Sequence, residues 1–206
     1  MHRPCDRSHL HNLIEPIISD AALQALKIPG SVLLRTAVHR DVRGFFYESW
    51  REGNGASDGV PGHFVQDNVS VSLRNVIRGL HLQHPRSQGK LIQVVVGKIW
   101  DVSVDVRRGS PAFGQWLGVM LQEGDGQQVY VPPGVAHGFV VLSDLAAVSY
   151  KCTEFYEPAG ELTIRWNDPA LAIEWPQHDP ILSAKDRAAP LLSEIDPERL
   201  PVFGEE

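Results

Sequence analysis

Cysteine is scarce: Cys5 and Cys152 are the two in 206 residues. That excludes a disulfide-stapled scaffold, leaves room for one disulfide, and makes a reducing cytosol the default. Long apolar runs are also missing. No stretch reaches 18 consecutive apolar residues, so no membrane-spanning helix is expected. The first thirty residues are broken by Arg3, Asp6, Arg7, Glu15 and Asp20 and hold no apolar core of signal-peptide length. A cytoplasmic protein without a membrane partner is expected. A basic block is absent too, and the formal net charge is −6. Nucleic acid is therefore not an expected partner, although a local group of Arg and Lys can still hold one small anion. The glycine fingerprint of a dinucleotide fold does not occur, and no repeat of fixed period is found.

What the chain does have is apolar residues at 43% and Gly with Pro at about 16%, above the usual share of roughly 12%. That suits a single domain with a real core and many tight turns. Residues 1–27 read as an irregular extension, with Ser19 and Asp20 placed to cap a short helix over Ala21–Leu26 that Gly30 ends. From residue 28 to 206 a single domain is expected. Short strand-like runs begin at Val32, the clearest being Ile99–Val106, where Val102, Val104 and Val106 alternate with Asp101, Ser103 and Asp105. This is the period of a half-buried strand. Similar runs cover Val32–Thr36, Phe64–Ser72, Val76–Gln83, Leu91–Val96, Trp116–Leu121, Gln128–Val131, Gly138–Leu142 and Ala146–Thr153. Turn signals such as Arg108-Gly-Ser-Pro111 and Glu123-Gly-Asp-Gly126 separate several of them. Evenly spaced strands without intervening helices predict an all-β antiparallel sandwich or jelly roll. A second short helix is predicted over Ala184–Ala189, started by Ser183.

Four local groups concentrate side chains able to do chemistry. They are Arg43-Gly-Phe-Phe-Tyr-Glu-Ser49; Gln66-Asp-Asn68; Arg78-Gly-Leu-His-Leu-Gln-His84 with Gln88-Gly-Lys90; and Pro132-Pro-Gly-Val-Ala-His-Gly-Phe139 with Tyr150-Lys151 and Tyr156. In a regular strand Arg78 and His81 fall on opposite faces, unless Gly79 makes a bulge and re-aims one of them. Pro132-x-Gly-x-x-His137 resembles the second motif of metal-binding cupins. Their first motif has His-x-His with a Glu soon after, whereas here His81 and His84 are spaced His-x-x-His and no acid follows before Asp101. A facial metal site wants a carboxylate or a well-placed third histidine, so a metal is disfavoured, and a three-histidine site stays open on spacing alone. Tyr150 and Cys152 share a strand face, the second most simply as a small buried apolar residue.

Taken in order, these groups resemble the dTDP-4-dehydrorhamnose 3,5-epimerase family. The carrying residues also include Arg165-Trp-Asn-Asp168 and Leu182-Ser-Ala-Lys-Asp186, and the match runs from about Ile28 to Leu192. The resemblance implies a cupin-type jelly roll, no metal or other cofactor, a homodimer, and a dTDP-4-keto-6-deoxyglucose substrate. By the same resemblance His81 matches the general base, Asp186 the acid that orients it, Tyr150 the proton donor, and Lys90 the residue beside the substrate carbonyl. Tyr156 matches the ring that stacks on thymine. Arg43, Glu48, Gln66, Asp67, Asn68, Arg78, His137, Glu161 and Lys185 match substrate-contacting positions. Leu82 departs from the family, which usually has an aromatic residue there, and the extension lies outside the usual family start.

Such a reaction needs these residue types. Hydrogens at C3 and C5 are both α to a C4 ketone, so each leaves as a proton when the enolate is stabilised. A histidine with a carboxylate behind it is a suitable base. The enolate oxygen needs a fixed donor, and inversion needs a second acid on the opposite face. A 3-epimerase would share the fold and base, and a metal cupin would instead use His81, His84 and His137.

Overall fold

Turn chemistry cuts the chain into short strands, as expected. The computed structural model describes residues 22–25, 27–52 and 59–205. Among these are thirteen strands: β1 (Ala22–Ala25), β2 (Val32–Arg35), β3 (His39–Asp41), β4 (Gly44–Phe46), β5 (Gln66–Leu73), β6 (Ile77–Gln83), β7 (Lys90–Val96), β8 (Lys98–Asp105), β9 (Trp116–Gln122), β10 (Gln127–Val131), β11 (Val135–Val141), β12 (Leu145–Cys152) and β13 (Glu161–Thr163). They form a six-stranded sheet in the order β1-β2-β10-β7-β12-β5, a five-stranded sheet in the order β13-β6-β11-β8-β9, and a separate β3–β4 hairpin. Strand pairs within both sheets are antiparallel, which makes the molecule an antiparallel jelly roll. The β3–β4 hairpin, β13 and the earlier start of β11 were not foreseen; His137 is the third residue of a strand rather than the end of a turn.

Among the described residues three apolar clusters hold the fold, the smallest being Val32, Val60, Leu91 and Tyr130 on the six-stranded sheet. Between the sheets, Ile92, Val94 and Val148 meet Ile99, Val135, Phe139 and Val141. On the outer face of the five-stranded sheet, Ile77, Leu80, Leu82, Val102 and Val104 are covered by Ile164, Leu171, Trp175, Ile195 and Leu200 of the C-terminal stretch. This outer layer changes the meaning of β8. Its valines do face a core, but its polar side is not solvated: Asp101, Ser103 and Asp105 are exposed by 2% or less. The strand is buried on both faces, and its polar face looks into the molecule.

The expected N-terminal helix is a strand instead. Residues 22–25 pair with β2 across a turn in which Ser31 N–H donates to the Ile28 carbonyl, with Pro29 second and Gly30 third at φ +85°. Pro then Gly at those positions is a β-turn signature. A helix of this length has no stability of its own, whereas β2 offers a free edge of backbone hydrogen bonds. Ser19 and Asp20 lie outside the described residues. The C-terminal helix, α1 (Ala184–Arg187), does form. Ser183 caps it by accepting from Asp186 N–H, and it ends two residues earlier than expected, ahead of Pro190. No helix among the described residues is long and apolar enough to cross a membrane.

Candidate active site

β6 leaves its regular pleat just before His81. Arg78 pairs with Phe139 and His81 with His137, so Gly79 and Leu80 together oppose Gly138 alone. This is a β-bulge at the glycine that strand parity singles out. Glycine is required there: φ is +125°, and a Cβ would lie 2.6 Å from the Gly138 Cα and 2.7 Å from the His137 carbonyl oxygen. The inserted residue brings Arg78 and His81 to one face, toward the six-stranded sheet. Leu80 and Leu82 then both belong to the tail-covered core. Arg78 reaches across to β5, where its Nε donates to Ser72 Oγ at 2.8 Å.

His81 lines a cleft of about 310 Å³ with Gln66, Asn68, Gln83, Gln88, Lys90, Tyr150, Tyr156 and Glu161. The six-stranded sheet supplies one wall through register. Tyr150 stands opposite Asn68 on one side and Ile92 on the other, and Cys152 stands opposite Lys90. The Asp186 carboxylate accepts from His81 Nε2 at 2.6 Å, and Ser183 Oγ donates to its other oxygen at 2.8 Å. Burial pushes the Asp186 carboxyl up, but the bonds from His81 and Ser183 and the charges of His81 and Lys185 outweigh it, so the net shift is downward. An ionised carboxylate only accepts, so Nε2 carries a proton, and Nδ1 offers a free lone pair whenever the ring is neutral. Among the described residues Nδ1 has no partner.

Lys90 is buried, and its ammonium has no hydrogen-bond partner among the described residues. Burial pulls its pKa below the ordinary lysine range, against weaker support from Cys152 and Glu161. Tyr150 shifts the other way: burial and Cys152 raise it, and Arg78 opposes them. A phenol held protonated beside a poised imidazole is what a donor–acceptor pair on two sides of a substrate requires. Two further bonded groups frame the cleft. Tyr156 N–H donates to Gln66, Gln66 to Asn68 at 3.0 Å, and Asn68 to Cys152 Sγ at 3.6 Å. At the mouth, Lys185 Nζ donates to Glu161 at 2.7 Å and the Tyr156 hydroxyl donates to the same carboxylate at 3.3 Å.

Thus the cleft unites His81, Tyr150, Lys90, Asp186, Gln66, Asn68, Tyr156, Glu161 and Lys185, with Arg78 on the same face of β6 as His81. It does not gather Arg43, Glu48 or Asp67. Arg43 pairs with Asp41 on the exposed β3–β4 hairpin, and Glu48 accepts from Arg51. That hairpin packs on Gly124 through Phe45 and Arg40, beyond Gln127, whereas Lys90 pairs with Val131 at the opposite end of β10. Asp67 points outward, because the period of β5 turns it away from Gln66 and Asn68, and it binds Lys151 at 2.8 Å. His137 sits beside His81 but is deeper, and its Nε2 donates to Asp101 at 2.7 Å. Asp101 was missed as a site residue; its alternation with valine was visible but reads equally as a solvated face. His84 lies against Ser87 at 3.4 Å, and among the described residues no group of three His, Cys, Asp or Glu is placed to hold a metal ion.

Comparison with known proteins places the chain in one family. The family model described as dTDP-4-dehydrorhamnose 3,5-epimerase matches residues 25–194. A dTDP-4-dehydrorhamnose 3,5-epimerase of Pseudomonas aeruginosa is 48% identical over 173 residues, covering 83% of this chain and 96% of the relative. The crystal structure of dTDP-6-deoxy-D-glucose-3,5-epimerase from Legionella pneumophila, in complex with dTDP-4-keto-L-rhamnose, superposes with a TM-score of 0.86 at 45% identity, covering 89% of this chain and 99% of that one. A 3′-monoepimerase from Streptomyces bikiniensis, in complex with dTDP-quinovose, gives a TM-score of 0.79 at 36% identity, covering 86% and 92%. On the family match and the identity over most of its length, this chain belongs to the dTDP-4-dehydrorhamnose 3,5-epimerase family.

Proposed function

We propose that the protein is a cytoplasmic, cofactor-independent epimerase that converts dTDP-4-dehydro-6-deoxy-D-glucose to dTDP-4-dehydro-L-rhamnose. The observation that carries this is one cleft holding an acid-backed imidazole, a protonated phenol and a buried amine. His81 Nδ1 takes the proton from C3 or C5, and the electron pair moves into the ring–carbonyl system as a C4 enolate. Asp186 holds the imidazolium so formed. Lys90 donates to the C4 oxygen, where one such donor is typically worth about 3–4 kcal/mol of barrier. Tyr150 returns a proton to the carbon from the other face, and solvent then resets both groups. No hydride leaves. Tyr156 at the mouth is exposed and free to stack on the base, and Arg78 and Lys185 are the cations nearest to hand for the diphosphate.

A homodimer belongs to the same reading. Arg43 and Glu48 cannot serve the cleft of their own chain from the far end of β10, so a second copy must present them. Among the described residues β5 is an unpaired sheet edge whose outward Val69, Val71 and Leu73 are all exposed, the kind of face a second copy covers. The function is tested by incubating the protein with dTDP-4-dehydro-6-deoxyglucose in deuterated water and following the product by NMR. Deuterium at both C3 and C5 is expected. Label at C3 alone would make this a 3-epimerase, like the Streptomyces bikiniensis protein, and no label at either carbon would refute the reading.

A further inference from the structure

We infer that Asp101 is a positioning residue of this site, setting the tautomer of His137 so that His137 Nδ1 accepts a hydrogen bond from a sugar hydroxyl beside the carbons that His81 deprotonates. The inference rests on the epimerase reading. β11 lies between β8 and β6, and His137 on it stands opposite Ser103 on one side and His81 on the other. Directly opposed residues place their Cβ atoms about 4.5–5.5 Å apart on one face, so a sugar ring lying against His81 is also within reach of His137. Asp101, two residues before Ser103 and on the same face, accepts from His137 Nε2 at 2.7 Å. The pair is deeply buried, with Asp101 1% and His137 9% exposed, and it sits on the face that carries Ile99, Phe139 and Val141.

A buried carboxylate–imidazole pair there is costly, and well-packed apolar residues of similar volume would hold the sheets together as well or better. The pair does, however, fix polarity. A carboxylate accepts and does not donate, so Nε2 must carry a proton, and in the neutral ring Nδ1 is then an acceptor without a partner among the described residues. His81 has the same polarity through Asp186. Two neighbouring imidazoles thus present the same nitrogen, one open to the cleft as base, the other deeper as an acceptor for a hydroxyl.

The test uses the full-length enzyme with Asp101→Asn, His137→Gln and the double variant. With Asn at 101, the amide can donate to Nε2 and favour the other tautomer. The expected result is a kcat lowered roughly 10- to 100-fold with KM within threefold, dTDP affinity unchanged, and a ¹⁵N-imidazole spectrum in which His137 moves from Nε2–H to Nδ1–H. The double variant should be no slower than the slower single one. A wild-type kcat in Asp101→Asn would overturn the inference. So would a loss of kcat matched by an equal loss of dTDP affinity, which would mark a purely structural pair. Failure of the function itself is distinguishable, because it shows as absent turnover in the wild type. The ¹⁵N spectrum still decides in that case: a wild-type His137 carrying its proton on Nδ1 refutes the assigned polarity.

Discussion

The molecule contains two acid-backed histidines, and they are built at different levels of structure. His137 and Asp101 come from neighbouring strands of one sheet, so register alone brings them together. His81 takes its acid from a residue 105 positions later, on a one-turn helix in the C-terminal stretch. The first pair exists as soon as the sheet exists. The second exists only when the tail has docked, and its acid is then held by a capping serine. The histidine that must exchange protons is the more open one, with 28% of its side chain accessible against 11% for His137. The structure thus separates a sheet-borne pair that is buried from a tail-borne pair that is reachable.

Substitutions can break or sharpen that contrast. The largest effect is expected for His81→Ala, which removes the reachable base. Hydrogen exchange at C3 and C5 should fall by a factor on the order of 10³ or more while dTDP still binds; loss of nucleotide binding in parallel would show that the ring is structural. Next is Tyr150→Phe, in which exchange into the substrate should continue but net epimerisation should stop. A wild-type product yield would remove Tyr150 as donor. Lys90→Met should lower kcat by about 10²–10³, as loss of one enolate donor does, and yet raise the melting temperature. The sign follows from linkage: burial lowers the folded pKa of Lys90, the unfolded chain then binds more protons, and a neutral side chain escapes that cost. A lower melting temperature would mean that the amine is held by more than the cleft.

Ser183→Ala tests the tail-borne pair alone. It removes the cap and one bond to Asp186, and should cost about 1 kcal/mol of stability and roughly tenfold in kcat, while the ¹⁵N signature of His137 stays as in wild type. A changed His137 signature would mean the two pairs are coupled. The smallest effect concerns acid. The folded pKa of Asp186 lies below its ordinary 3.8, so its contribution to stability is complete above that value and is lost as pH falls through the lower, folded value. The wild-type melting temperature should therefore drop at pH below 3.8, by less in Ser183→Ala. An equal drop in both would show that Ser183 is not part of what depresses the carboxyl.

Much of the fold is legible in the residues, because alternation and turn chemistry are local. The runs around Val104, Val129 and Val148 and the Ser183 start signal all read correctly. The helix at Ala21–Leu26 read wrongly because four residues beside a sheet are decided by the edge they meet, which local preference does not see. The cleft was legible in its chemical members, through resemblance and through the glycine before Leu80. Asp101 was not, because a polar–apolar alternation says that a strand has two different faces, and it does not say which face water covers. In β8 the tail covers the valines, while Asp101 is taken by His137 and Asp105 by Arg107 and Ser110. Arg43 could be named as part of the motif, but its distance from His81 within one chain is a property of the assembled sheets.

The lone unpaired residue at Gly79 has a wider consequence. Because every side chain after it is assigned inward or outward by counting, a homologue that kept the spacing but replaced this glycine, and so straightened the strand, would present two leucines to its sugar and a histidine to its own tail. For genome surveys of such enzymes, a matching motif is informative only when the glycine two places ahead of the histidine is kept.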